Sequence, residues 1–195
     1  ASYGYAEKAA AWNQRAAELA REVAGADRFA AGSIGPTGHF LPPLGTMTEE
    51  EAYNGFKTQA MAMEAGGADV IFVETMTAIE EIVLGVKAVK ENTKLPVVAT
   101  MTFEQKRKGY RTMMGVSPEA AVEQLQAAGA DIVGTNCGSG PELTVGVLRA
   151  MRAVTDGWLA GQPNAGLPEI RDGKNVYPMT PEEMVEKMKP LLDLD

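Results

Sequence analysis

Ala65-Gly66-Gly67-Ala68-Asp69-Val70-Ile71-Phe72-Val73-Glu74 and Ala127-Ala128-Gly129-Ala130-Asp131-Ile132-Val133-Gly134-Thr135-Asn136 repeat one phrase at two places in the chain. Small residues close an amphipathic stretch, a glycine stops it, an aspartate follows, and a near-continuous apolar run begins. Such a phrase reads as a helix end, a turn and a buried strand. Three further apolar runs, Phe29–Ile34, Leu95–Phe103 and Trp158–Gln162, bring the candidate strands to five.

Stretches of helical spacing alternate with these strands: residues 6–24, 48–65, 77–91, 117–128, 141–154 and 180–192. Thr48-Glu49-Glu50-Glu51, Ser117-Pro118-Glu119 and Thr180-Pro181-Glu182-Glu183 read as helix starts, because a hydroxyl caps the free N–H groups and acids or proline suit the first turn. Strands apolar on both faces, alternating with helices, predict a parallel sheet covered by helices. A doubly wound open sheet and a (β/α) barrel both fit. No Gly-x-Gly-x-x-Gly follows the first strand, which weakens a dinucleotide-binding reading. Polar residues gather instead at the carboxyl ends of the strands: Ser33, Glu74, Thr100, Thr102, Asn136, Cys137, Gln162 and Asn164. In a barrel these ends share one mouth, where barrel enzymes keep their active sites, so the barrel is preferred. A full barrel has eight strands in about 250 residues, and 195 residues with five strands make a partial one.

Composition narrows the function. A net charge of −8 argues against nucleic acid as the main partner. The one dense basic cluster, Lys106-Arg107-Lys108 with Arg111, reads as a solvated loop. No apolar stretch approaches the roughly 20 residues of a membrane span, and no signal pattern opens the chain, so a cytoplasmic protein is expected. The single cysteine, Cys137, excludes an intrachain disulfide and agrees with a reducing compartment.

Among candidate chemical residues, Glu74 ends an apolar strand, where a carboxylate facing an open mouth could receive an ammonium group or a proton. A lone cysteine is often just a small buried hydrophobe. The glycine-flanked Asn136-Cys137-Gly138 tip also suits an accessible sulfur. His39 lies in a proline-rich loop with nothing in the sequence to orient it as a base. Asn164 sits in the turn-rich Gln162-Pro163-Asn164-Ala165-Gly166-Leu167-Pro168 segment as an exposed amide.

Six phrases, in order, carry a resemblance: Gly32-Ser33-Ile34-Gly35-Pro36-Thr37-Gly38, Glu74-Thr75-Met76, Thr100-Met101-Thr102-Phe103, Gly134-Thr135-Asn136-Cys137, Gln162 to Pro168, and Tyr177-Pro178-Met179-Thr180-Pro181-Glu182-Glu183-Met184. Together they resemble the homocysteine S-methyltransferase family over essentially the whole chain, residues 1–195, read as a single domain. The resemblance implies strands three to seven of a (β/α)8 TIM barrel with outer helices. The family's first two strands would lie before Ala1 and its eighth after Asp195. It implies zinc-dependent methyl transfer to the homocysteine thiol, giving methionine, from a methylcobalamin-type donor. No Asp-x-His-x-x-Gly phrase is present, so a corrinoid would arrive on another protein or domain. By the same resemblance, Cys137 is one of three cysteine zinc ligands, the other two being absent from this chain, and Glu74 receives the substrate ammonium. Asn136 and Asn164 would line the substrate pocket. Two other readings stay open: a different barrel enzyme using Glu74 as acid or base, and an assembly partner that oligomerises through open sheet edges.

Overall fold

A computed structural model describes residues 4–194. Its elements run in chain order α1 (Ala9–Ala24), β1 (Ala31–Ile34), α2 (Glu49–Ala65), β2 (Val70–Met76), α3 (Ile79–Asn92), β3 (Val97–Met101), β4 (Glu104–Lys106), β5 (Gly109–Arg111), α4 (Pro118–Ala127), β6 (Ile132–Cys137), α5 (Pro141–Arg152), β7 (Trp158–Pro163), β8 (Glu169–Arg171), β9 (Lys174–Val176) and α6 (Pro181–Met188). Short 3-10 turns precede α1 and follow α6. Each expected helix forms, and the caps act as read: Thr48 and Thr180 make reciprocal capping boxes with Glu51 and Glu183, and Ser117 accepts from the Ala120 N–H.

Five strands form one parallel sheet in the order β1-β2-β3-β6-β7. The order never reverses, so every crossover turns the same way, and right-handed crossovers then put the helices on one face. A doubly wound sheet needs a reversal and helices on both faces. The helices pack in succession, α1 on α2, α2 on α3, α3 on α4, α4 on α5 and α5 on α6. The wall is that of a partial barrel, as expected.

Alternation along the strands separates two faces. Ile71, Val73, Val97, Ala99, Met101 and Val133 are buried in one cluster with helix residues such as Phe56, Ile82, Val86 and Leu125. Fully burying a side chain such as Phe56 contributes about 2 kcal/mol of transfer free energy. Ser33, Phe72, Val98, Ile132 and Trp158 are consecutive register partners on the other face. That face is tight around central β3, where Val98 is buried, and open towards the sheet's flank, where Trp158 is 79% exposed.

The repeated phrase has a physical cause. At each glycine stop the chain turns through positive φ, 88° at Gly67 and 98° at Gly129, and the next N–H reaches back to a helix carbonyl, Ala68 to Met63 and Ala130 to Leu125, both at 3.0 Å. Each aspartate then ties the neighbouring strand. Asp69 accepts from the Ala30 N–H at 2.6 Å and pairs with Arg21, while Asp131 accepts from the Val97 N–H at 2.7 Å and pairs with Lys90 at 3.0 Å. One phrase therefore stops a helix, starts a strand and sets its register against the strand before it.

Two corrections concern the strand ends. The Lys106–Arg111 region is a β-hairpin, β4 with β5, rather than a loop, and a second hairpin, β8 with β9, follows the Gln162–Pro168 turn. All four three-residue strands are exposed or half-buried and lack the apolar runs that marked the five sheet strands. Among the described residues no helix is long and apolar enough to cross a membrane.

Candidate active site at the carboxyl ends of the strands

Strand β2 carries one extra residue near its end. Val73 pairs with Ala99 and Met76 with Met101, so three steps along β2 match two along β3. Such a bulge bends a strand and redirects a side chain. Here it contains Glu74 and Thr75, and Thr75 takes φ 62°, a left-handed conformation that non-glycine residues rarely adopt. Glu74 accepts a hydrogen bond from the Ser33 hydroxyl of neighbouring β1.

The end of β6 meets this bulge through Asn136. Its Oδ1 accepts from the Thr75 N–H at 2.8 Å and from the Thr100 hydroxyl at 2.9 Å, while its Nδ2 donates to Thr75 Oγ1 at 2.7 Å. Its backbone carbonyl accepts from the Thr102 hydroxyl at 3.3 Å. The side chain is nearly enclosed, 8% exposed. One amide thus joins the carboxyl ends of β2, β3 and β6.

Cys137, the next residue, is a free, half-buried thiol and also has a left-handed backbone, φ 64°. Asn164, just after β7, donates from Nδ2 to the Cys137 sulfur at 3.4 Å and to the Gly138 carbonyl at 3.1 Å. Its own N–H points to the Cys137 carbonyl at 3.5 Å. The β6–β7 ladder, in register from Ile132 with Trp158 to Cys137 with Pro163, delivers this contact. Glu74 and Cys137 are each one residue from a member of the Asn136–Thr75 pair, so the strand positions that carry the carboxylate and the thiol are joined through that pair at the sheet's carboxyl end.

The donor set does not amount to a zinc site. Among the described residues no group of three His, Cys, Asp or Glu is placed to hold a metal ion, whereas catalytic zinc takes three protein ligands and an open position. The side-chain partner of the Cys137 sulfur is an amide.

His39 lies apart from the cluster, in the loop between β1 and α2. With Phe40, Leu41 and Thr77 it lines a cavity of about 150 Å³ at the start of α3. This loop is held by Glu81, a buried acid of the first α3 turn, which accepts from the Thr37 N–H at 2.8 Å and the Thr37 hydroxyl at 2.6 Å. Neither Glu81 nor Thr75 is marked in the sequence as a site residue. An acid at a helix start is common, and a left-handed threonine gives no local signal. The nearest clue was the polar Thr100–Thr102 end of β3 facing the polar end of β6.

A family model described as homocysteine S-methyltransferase matches residues 1–195. The methionine synthases of Mycobacterium leprae (strain TN) and Mycobacterium tuberculosis (strain ATCC 25618 / H37Rv) are each 29% identical over 197 residues, covering 95% of this chain and 16% of theirs. The chain therefore spans under a fifth of the length of these relatives. The crystal structure of the homocysteine methyltransferase MmuM from Escherichia coli in its apo form superposes with TM-score 0.70 at 21% identity, over 82% of this chain and 62% of that one. The metallated form gives 0.68 at 21%, over 80% and 59%. At that identity the likeness establishes the fold.

Proposed function

The chain belongs to the homocysteine S-methyltransferase family, and from that premise we propose that it forms the homocysteine-binding part of an enzyme that methylates the homocysteine thiol to give methionine. The observation that carries the reading is that Thr75 and Asn136, the chain neighbours of Glu74 and Cys137, are hydrogen-bonded to each other at the carboxyl ends of the strands, with Asn164 on the Cys137 sulfur.

Each residue has a part it can play. Glu74, oriented by Ser33, offers a carboxylate for the substrate ammonium, and a charge-assisted hydrogen bond of this kind is worth roughly 1.5–3 kcal/mol. Cys137 marks the sulfur end of the pocket, and Asn164 both holds it and lines the approach. In the reaction a new S–CH3 bond forms at the substrate sulfur as the donor–methyl bond breaks, and the thiol proton leaves. A free thiol, with pKa about 8.5, is mostly protonated at neutral pH, so its deprotonation needs help. Family likeness assigns that help to zinc, which Cys137 alone does not hold. Two further ligands would come from outside residues 1–195, and a methylcorrinoid donor would come on another domain or protein. The proposed unit is a single, incomplete barrel domain working in the cytoplasm.

The test is methionine formation from L-homocysteine and methylcobalamin by the gene product that carries this sequence. Glu74→Gln should raise KM for homocysteine about tenfold or more, the loss of one charged contact, and Cys137→Ser should abolish turnover. Unchanged kinetics in both variants would end the proposal, and activity that survives Cys137→Ser and chelator would favour a barrel enzyme using Glu74 as acid or base. A second reading, assembly through the sheet edges, is favoured by the lack of a further strand on β1 or β7 among the described residues and by Phe29 at 87% exposure. Size-exclusion chromatography coupled to light scattering decides it, a monomer counting against.

A further inference from the structure

The Asn136 amide joins three strand ends, and its connections are specific enough to give it a task. Both Oδ1 bonds and the Nδ2 bond go to protein partners, two of the three to Thr75. Thr75 is the left-handed residue of the β2 bulge. A threonine at φ near +60° costs roughly 1–3 kcal/mol and persists only where its surroundings over-determine it. The amide is what does so here: it accepts the Thr75 N–H and donates to the Thr75 hydroxyl, fixing backbone and side chain together. Were the bulge to relax into regular strand, the extra residue would have to be absorbed. Beyond Val73 the alternation of faces would then shift by one, Thr75 would come opposite Met101, Met76 would leave its buried face, and the backbone that follows Glu74 would change direction.

We infer that Asn136 is a positioning residue, a clamp on the Thr75 bulge that aims the Glu74 carboxylate at the substrate ammonium, and that it does not itself bind substrate. The inference rests on the reading of Glu74 as the ammonium site. It assigns Asn136 a role different from that of the pocket-lining Asn164, whose exposed amide lies against the Cys137 sulfur. The clamp also links the strand end that carries Glu74 to the one that carries the thiol, because Cys137, itself left-handed at φ 64°, follows directly on Asn136.

The test separates a clamp from a ligand contact by relieving the strain instead of replacing the amide. Asn136→Ala should weaken L-homocysteine binding, measured by calorimetry on the full gene product, by about tenfold, since small misplacements of a binding group carry costs of that order. It should also speed hydrogen exchange of the Thr75 amide by about tenfold or more, the loss of one buried hydrogen bond. Adding Thr75→Gly to Asn136→Ala should restore the Kd to within about threefold of wild type, because glycine holds φ 62° without steric cost. A double variant as weak as Asn136→Ala alone would overturn the clamp in favour of direct contact, and so would a Kd and an exchange rate that Asn136→Ala leaves untouched. Should Asn136→Ala fail to melt cooperatively, Thr75→Val and Thr75→Gly replace it. Valine keeps the strain of a β-branched residue at φ 62° but loses the hydroxyl that accepts from Asn136, so it should weaken binding while glycine does not, and equal affinities would refute the inference. If the wild-type protein binds no homocysteine, the proposed function fails, and the clamp is judged on Thr75 exchange alone, where no change on Asn136→Ala overturns it.

Discussion

Gly134→Ala is the substitution whose consequence is best defined by the geometry. Gly134 is the third residue of β6, opposite Ala160 of β7. A Cβ built there would sit 1.9 Å from the Ala160 carbonyl oxygen and 2.7 Å from its carbon. That is roughly 1.5 Å inside ordinary van der Waals contact, and the obstacle is main chain, which no rotamer change can move. The strands must therefore separate by more than about 1 Å, which takes the adjacent N–H···O bonds beyond hydrogen-bonding distance. Two broken ladder bonds at about 1 kcal/mol each, plus overpacking of about 1–3 kcal/mol, give a loss of roughly 3–5 kcal/mol. For a chain of this length that corresponds to a fall in Tm of about 6–20 °C. The displacement would also pull Asn164 off Cys137, because β7 delivers that contact. Gly55→Ala is the matched control: an added Cβ meets nothing within 4 Å in the interior of α2. It should raise stability by about 0.5–1 kcal/mol. Paired thermal melts and urea titrations with an unchanged m-value are the measurement. A Gly134→Ala protein melting within about 2 °C of wild type would refute the close-approach argument.

Asp131 links stability to pH. Burial, the largest influence, pushes its carboxyl upwards, but the Val97 N–H and the Lys90 ammonium outweigh it and hold the carboxyl below the usual range. A depressed carboxyl contributes stability above its unfolded pKa of about 3.9 and loses it as pH falls through the lower folded value. Asp131→Asn should therefore cost about 1 kcal/mol at pH 7, the ion pair being partly screened. The gap between the two melts should close below about pH 3.9, and a gap constant to lower pH would contradict it. Thr48→Ala removes the α2 capping box and should cost about 1 kcal/mol by urea titration, no change in midpoint being the contrary result. A chain of residues 1–195 titrated with zinc against a colorimetric competitor should show no tight stoichiometric binding, because one thiol is offered. Tight one-to-one binding would mean that a donor set has been overlooked.

The fold was legible because its causes are local. The small-residue helix ends, the positive-φ glycines at 67 and 129 and the paired aspartates at 69 and 131 repeat in sequence as they repeat in space. The capping residues Thr48, Ser117 and Thr180 each act within three positions of themselves. The two hairpins escaped notice because short, exposed β-strands bury nothing and so leave no periodic apolar trace. Glu74, Asn136, Cys137 and Asn164 could be picked out as polar residues at the ends of apolar strands, and the chain order of the six phrases pointed to the family.

What these residues touch is decided by contacts that span the chain. Asn136 meets Thr75 across 61 residues, Asn164 meets Cys137 across 27, and Glu81 holds Thr37 across 44. Periodicity and capping report a residue's own neighbourhood, so the sequence by itself determined which segments are helix or strand, where they stop, and that polar groups crown the strands. The sheet register decided the rest. One extra residue in β2 makes a left-handed threonine whose N–H and hydroxyl both bond Asn136 of β6. The buried amide that does so looks, in one dimension, the same as the exposed amide that touches the thiol.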